Sequence, residues 1–396
     1  TALSHTENLY FVAGRSEIFV YQPNFPDQRL DSDPTLILQP SGPEHAQPIV
    51  HEAPLGPGRY INQLIVDFLG NEEILLLALH NGGVIGYRIS QIQQAIEKRQ
   101  EPDCVETNVG DDVTPFFREH VEKSAWGLAV HREARMIAVS SNTHKVTVFA
   151  FALDRRDAPS SGPWYRDRSS QRKVQLPNTG TNIPCVAFCN TADDPEGRWL
   201  MTTDIEGVAR IFDLALIGSS EGLPSTSPIM LLSIRDMILL QPLKSGIESD
   251  HVAYHDPLFQ TCREGEDALW LLDQDRLNLH AQIPELGVVI VGSAKGRVAV
   301  LSLTQTSSTR PGGKTYACRI DHILPTLEQE RRGQRSVGSL AGIAVGPIQG
   351  MLGRAADHPR RWRLLMMYHD NEVLKYEISK RTDGELRAQE VSELII

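Results

Sequence analysis

Six times along the chain, an apolar run, a short polar turn and a second apolar run follow one another. The stretches read LYFVAGRSEIFVYQP (9–23), ILLLALHNGGVIGYRI (74–89), MIAVSSNTHKVTVFAF (136–151), LMTTDIEGVARIFDL (200–214), VVIVGSAKGRVAVLSL (288–303) and LLMMYHDNEVLKYEI (364–378). Their second runs open at Ile18, Val84, Val146, Val208, Val298 and Val373, at intervals of 66, 62, 62, 90 and 75 residues. Self-similarity of this kind marks an array in which each repeat is one supersecondary unit. The runs are short, rich in β-branched and aromatic residues, and bounded by Gly, Asn, Asp or Ser, which reads as β-hairpins. Several runs are apolar at successive positions, not alternating ones. Such strands belong to sheets buried on both faces.

Small sheets packed face to face are the blades of a β-propeller. Another apolar strand precedes most hairpins, at 62–69, 125–131, 183–188, 277–283 and 340–348, so each unit is at least a three-strand meander. The linker to the next unit is placed to supply a fourth strand. The first hairpin lacks an obvious upstream strand and residues 383–394 follow the last one, so the two termini are expected to share a blade and close the ring, removing open edges. The segment WLMTTDIEGVARIFDL (199–214) resembles a degenerate WD40 repeat, with Phe212-Asp213 where that family has Trp-Asp, although the usual opening Gly-His is missing. The 90-residue interval equals two WD40-sized steps of about 45 residues. A weak blade is therefore expected between Leu214 and Leu277, built from 228–240 and 268–272.

The expected fold is all-β, a single WD40-like β-propeller domain over 1–396, with seven blades and six as the alternative. Loop insertions are expected at 152–180, 214–228 and 304–338. A short helix is expected over 91–100 with Ser90 as its N-cap, and a charged helical turn or two within 324–335.

Composition narrows the function. Hydrophobic residues are 41% and charged residues 22%, which excludes collagen-like, coiled-coil and disulfide-scaffold chains. No apolar run approaches about 18 residues, so no membrane span is expected. Net charge is −11, which repels nucleic acid and anionic lipid. Two basic stretches, 154–173 and 354–363, show no periodic helix face and read as solvated loops. The five cysteines, Cys104, Cys185, Cys189, Cys262 and Cys318, are an odd, sparse set that suits reduced thiols of the nucleus or cytoplasm. Cys185 and Cys189 fall on one face of a strand, but no second pair has zinc-ligand spacing.

No dinucleotide fingerprint, P-loop, zinc-protease helix, EF-hand or nucleophile elbow is present. His251 and His255 read as a loop pair, and Asp193-Asp194-Pro195-Glu196-Gly197 as an Asp/Gly turn. Trp126 and Trp199 read as core residues. No catalytic residue, metal or cofactor is expected.

Two segments sharpen the reading. SAWGLAVHREARMIAVSSNTHKVTVFAFAL (124–153) and RRWRLLMMYHDNEVLKYEI (360–378) resemble the fungal Crt-type repressor family, named for constitutive transcription of ribonucleotide reductase genes. The resemblance implies a nuclear or nucleocytoplasmic WD40-like propeller. It further implies negative regulation of ribonucleotide reductase expression and a substrate-adaptor role with a cullin-type ubiquitin ligase. That family carries no catalytic residues to transfer.

The leading expectation is a non-enzymatic interaction scaffold that binds other proteins, a cullin-ligase linker and a recruited substrate among them, and no small-molecule substrate. Hairpin turns would place Arg15, Asn81, His144, Lys145, Asp204, Glu206, Lys295, Asp370 and Asn371 in a partner-binding ring. Trp164, Tyr165 and Arg166 form a candidate exposed anchor. The alternatives are a hydrolase or isomerase working at a central channel, and nucleic-acid binding through the basic loops. The channel reading is weakened by inner strands that are apolar apart from Asp67.

Overall fold

Pairing of each apolar run with the next builds nearly all of the regular structure. The structure, a computed structural model, describes residues 1–23, 30–40, 60–100, 110, 112–151, 172–190, 194–214, 218–219, 229–232, 236–243, 246–253, 279–307, 314–333, 339–348, 361–380 and 386–390.

Among the described residues seven sheets are formed, each with its strands hydrogen-bonded in chain order. The first holds β1 (Ala2–Leu3), β2 (Tyr10–Ala13), β3 (Ile18–Tyr21) and β4 (Leu36–Leu38). The second holds β5 (Ile61–Leu69), β6 (Glu72–Leu79), β7 (Gly83–Arg88) and β8 (Phe117–His120). The third holds β9 (Ala125–His131), β10 (Met136–Ser141), β11 (Lys145–Ala150) and β12 (Arg172–Gln175). The fourth holds β13 (Cys185–Phe188), β14 (Trp199–Thr203), β15 (Ala209–Asp213) and β16 (Gly218–Ser219). The fifth has β17 (Ile229–Leu232), β18 (Asp236–Leu243) and β19 (Gly246–Ala253). The sixth holds β20 (His280–Ile283), β21 (Val288–Gly292), β22 (Val298–Ser307) and β23 (Lys314–Leu324). The seventh holds β24 (Leu340–Pro347), β25 (Trp362–Tyr368), β26 (Val373–Lys380) and β27 (Leu386–Glu390). The fold is all-β and WD40-like, and as expected the fourth strands come from the linkers.

Two expectations are corrected. Among the described residues six complete four-stranded blades form, not seven. A sheet does arise inside the 90-residue interval, but it has three strands among the described residues, and 268–272 lies outside them. The termini do not share a blade either. β27 pairs with β26 from Tyr376↔Glu390 to Lys380↔Leu386, which occupies the edge that a shared blade would have needed. The missing first upstream strand exists as β1, too short at two residues to register as a pattern.

Helix α1 (Ile89–Arg99) follows β7 directly and buries Ile89, Ile92, Ala95 and Ile96, a helical-period stripe. Ser90 is not its cap. The N-cap position falls to Arg88, the last strand residue, which pairs with Ile74 across the ladder and makes no side-chain cap bond. Helix α2 (Leu327–Arg331) begins with a capping box between Thr326 and Gln329, within the charged segment read as helical.

The chain divides into two compact units. One comprises Thr1–Leu9, Pro23–Asp31 and Pro224–Ile396, the other Tyr10–Gln22 and Ser32–Leu223. In both, apolar side chains are shared between neighbouring sheets. In the second unit, Ile74, Leu76 and Ala78 of β6 pack with Leu128, Ile137, Val139 and Phe149 of the third sheet. The other face of that third sheet packs Ala138, Val146 and Val148 against Val186, Leu200 and Phe212. In the first unit, Val288, Ile290 and Val300 meet Trp362, Leu364, Met366 and Tyr376. Sheets used on both faces explain the unbroken apolar runs: β6 is buried from Glu73 to Leu79.

First strands leave an edge, and side chains cover it. Gln63 Oε1 accepts from Leu128 N (2.9 Å), and Ser140 Oγ accepts from Gly127 N (2.8 Å) while donating to Ile183 O (2.7 Å). A Cβ at Gly127 would lie 2.7 Å from Ser140 Oγ and 3.0 Å from Pro184 O, so only glycine allows this approach.

Candidate functional site

Five hairpins turn in the same way. In each, the residue ending the first strand or just beyond it accepts a backbone N–H from the third residue on. These bonds are Gly82 N to Leu79 O (3.0 Å), His144 N to Ser141 O (3.1 Å), Gly207 N to Asp204 O (3.1 Å), Gly296 N to Ser293 O (3.0 Å) and Asn371 N to Tyr368 O (3.0 Å). The donor always has positive φ: +88°, +62°, +81°, +102° and +68° respectively. Glycine fits that conformation freely, and Asn and His enter it more readily than most residues. His144 and Asn371, expected as partner contacts, thus hold a backbone position in their turns. Glu122 and Arg135 share the left-handed conformation elsewhere in the chain.

Other expected contacts also serve the turns. Asn81 Oδ1 accepts from Gly83 N (3.0 Å), and Asp370 Oδ1 from Glu372 N (3.2 Å). Asp204 is buried, with Oδ1 accepting from Glu206 N (3.0 Å) and Val208 N (2.9 Å), and it pairs with Arg210 through Oδ2. Burial alone would raise its carboxyl. The Val208 and Glu206 N–H groups and the Arg210 guanidinium outweigh this and hold it below the ordinary carboxylate range. Lys145 Nζ reaches Gln175 Oε1 (3.4 Å), and Lys295 N is fixed by Ser293 Oγ (3.1 Å). Arg15 and Glu206 are exposed.

Arg15, Asn81, His144, Lys145, Asp204 and Glu206 belong to the second unit, and Lys295, Asp370 and Asn371 to the first. Trp164, Tyr165 and Arg166 lie outside the described residues. Sequence reading missed the apolar members of these turns. Ile205 is 66% exposed and Val208 40%, beside Glu206 at the β14–β15 tip. Alternation could have flagged them, because Ile205 lies beyond the last paired residue of β14.

The second unit also holds a cavity of about 520 Å³, lined by Ser16, Glu17, Gln39, Tyr87, Thr114 and Arg118 among others. Burial pushes the Tyr87 hydroxyl up to about 12, opposed by the Arg118 charge. At the other end of the second and third sheets, the β5–β6 and β9–β10 turns are stitched together. Gly70 N donates to Arg132 O (2.8 Å), Arg132 Nε returns a bond to Gly70 O (3.1 Å), and Asn190 Oδ1 accepts from Arg132 N (3.2 Å). His131 is buried, with Nδ1 accepting from Ala134 N (3.0 Å), which leaves Nε2 to donate to Asp194 O (2.8 Å). Asp194 accepts from Arg198 N and Trp199 N, both at 2.8 Å, so it is a turn residue as read. On β5, burial pushes Asp67 up to about 6, with Phe68 N–H and Arg132 opposing and Glu73 adding to the rise. Among the described residues, no three of His, Cys, Asp and Glu gather as a metal-binding group. No described helix is long and apolar enough to cross a membrane.

The basic stretches are only partly surface. Lys173 is exposed beside Glu119 (3.6 Å). Arg363, read as part of a solvated loop, is instead fully buried in β25, with Nη1 donating to Asn8 Oδ1 (2.9 Å). Burial lowers it to about 10. The strand requires this, because Arg363 lies between Trp362 and Leu364 in a run buried on both faces. His251 sits in β19, not in a loop, and residue 255 lies outside the described residues.

Successive antiparallel meanders that share apolar faces and carry matched hairpin turns define a WD40-like propeller protein. The CRT10 family model matches residues 59–227 and 253–378, and the chain belongs to that family. Both segments that carried the sequence resemblance fall inside the matched ranges. The chain is also 27% identical over 218 residues to an uncharacterized WD repeat-containing protein of Schizosaccharomyces pombe, a match that covers 53% of this chain and 38% of that protein's length. It is similar, at 11% identity and a TM-score of 0.44, to the β-propeller domain of Cps50 (Swd1) from Myceliophteria thermophila, over 84% of this chain and 89% of that one.

Proposed function

We propose that the chain is a protein-interaction scaffold without catalytic activity of its own, and that its hairpin turns carry the partner contacts. On this reading it regulates ribonucleotide reductase gene transcription and serves as a substrate adaptor for a cullin-type ubiquitin ligase, in the nucleus, the cytoplasm or both. Membership in the CRT10 family supports the reading. The observation that carries it is the β14–β15 tip, where Ile205 and Val208 stay exposed beside charged Glu206. Exposed apolar side chains rimmed by charge mark contact surfaces for other proteins.

The test is a folded variant carrying Arg15→Glu, Lys145→Glu, Glu206→Arg and Lys295→Glu, compared with the wild type by affinity purification and mass spectrometry. Loss of partners, a cullin-ligase linker among them, with an unchanged melting temperature is the expected result. Retention of every partner overturns the proposal.

A further inference from the structure

Two arginines converge on one backbone position at the β5–β6 turn. Arg132 is held at four points. Its O and Nε bond Gly70, its N bonds Asn190, and its guanidinium carbon stands 4.6 Å from the centre of the Phe68 ring. Arg135 approaches the same glycine, where a Cβ on Gly70 would lie 2.7 Å from Arg135 Nε and 3.4 Å from Nη2. Arg132 is exposed and Arg135 half-buried. Among the described residues neither guanidinium has a salt-bridge partner. Glu72 is taken by Arg88 (3.2 Å), and Asp67 Oδ1 accepts from Phe68 N (2.7 Å).

We propose that Arg132 and Arg135 form a docking site for an acidic peptide segment of a partner protein, one carboxylate seated on each guanidinium. Planar guanidinium forks match carboxylates in two-bond geometry, which an ammonium does not. Stacking on Phe68 and the bond to Gly70 fix Arg132 before any ligand arrives, so little rotamer freedom remains to be lost on binding. Asp67 lies near enough to be felt electrostatically by Arg132, and its negative charge penalises a doubly charged phosphate more than a carboxylate. The chain's net charge of −11 opposes a nucleic-acid strand. The site deepens the scaffold reading, on which it rests, by giving the chemistry of a partner at the sheet ends opposite the hairpin turns.

The experiment is fluorescence anisotropy of labelled hexaglutamate with the full chain, using hexaglutamine and oligothymidine as comparison probes. Hexaglutamate is expected to bind and hexaglutamine not. The variant Arg132→Gln with Arg135→Gly should weaken binding about tenfold or more. Both substitutions suit the fold: an amide retains a donor for Gly70 O, and glycine accepts the +55° φ of Arg135. Arg198→Ala, which removes a guanidinium already paired with Asp213, should leave affinity unchanged. Three results overturn the proposal: no binding of hexaglutamate by the wild type, equal binding by the double variant, or tighter binding of oligothymidine. If hexaglutamate fails while the hairpin-turn variant still loses its partners, the arginine site falls and the scaffold reading stands. If the hairpin-turn variant keeps its partners, the scaffold reading falls whatever the peptide does.

Discussion

The turns Asp204–Val208 and Ser293–Arg297 share one backbone path but have opposite surroundings. Both close with an N–H bond three residues long, 3.1 and 3.0 Å, and both place glycine at positive φ. In the second, Arg297 is 5% exposed and bonds Glu330 of α2 at two points, Nε to Oε1 (2.7 Å) and Nη2 to Oε2 (2.5 Å). Tyr368 Oη adds a bond to Gly296 O (2.8 Å). In the first, the arginine two positions further on, Arg210, folds back onto Asp204 of its own turn, and the apolar tip stands in solvent. Local sequence sets the turn. Whether it becomes core or surface depends on segments 33 and 72 residues away.

The largest expected effect is on the covered turn. Glu330→Ala removes the carboxylate that meets buried Arg297 at two points and should cost about 3–5 kcal/mol in chemical denaturation. Arg297→Met with Glu330→Leu should restore most of that loss. A loss below about 1 kcal/mol for the single variant would show that the pair sits in water after all. The exposed turn depends on its own carboxylate. Asp204→Ala should cost about 1–3 kcal/mol, because two backbone N–H groups and Arg210 lose their acceptor. The folded-state carboxyl is held below its unfolded value, so its contribution is present above the ordinary carboxylate range and fades as pH falls through the folded pKa. Asp204→Asn should therefore flatten the acid limb of the stability curve, and an unchanged limb would contradict the assignment. The smallest effect is expected at the tip. Ile205→Ser with Val208→Thr should shift stability by no more than about 0.5 kcal/mol while partner capture drops. A clear loss of stability would mean that these side chains are packed, which would erase the contrast between the turns.

The repeated apolar–turn–apolar pattern made the strands readable, because burial on both sheet faces writes itself as unbroken runs such as β6 and β21. The linker strands were harder to see. β12 and β16 are short edge strands whose few residues carry no periodic signal. The turn positions were legible, but the backbone task of two of them was not. His144 and Asn371 look like recognition side chains in sequence, whereas positive φ gives them a backbone task. Arg363 misled for the opposite reason, since a cluster of arginines at 360–363 reads as surface until the strand carries one of them inward to Asn8. Arg132 and Arg135 went unnoticed because the Phe68 and Gly70 that hold them come from a different repeat.

The nine residues that open the chain belong to the same unit as the stretch that ends it. Asn8 meets Arg363, and Leu3 lies where a Cβ on Gly346 would touch it at 3.0 Å. A ribosome makes these partners more than three hundred residues apart. The Asn8–Arg363 bond must therefore wait for the 355 positions that separate its partners, while the sheets between 61 and 219 can pair as they emerge. A nascent chain stalled before Trp362 would pair β1 with β2 and hold the middle sheets with their own neighbours, but could not yet form the Asn8–Arg363 bond.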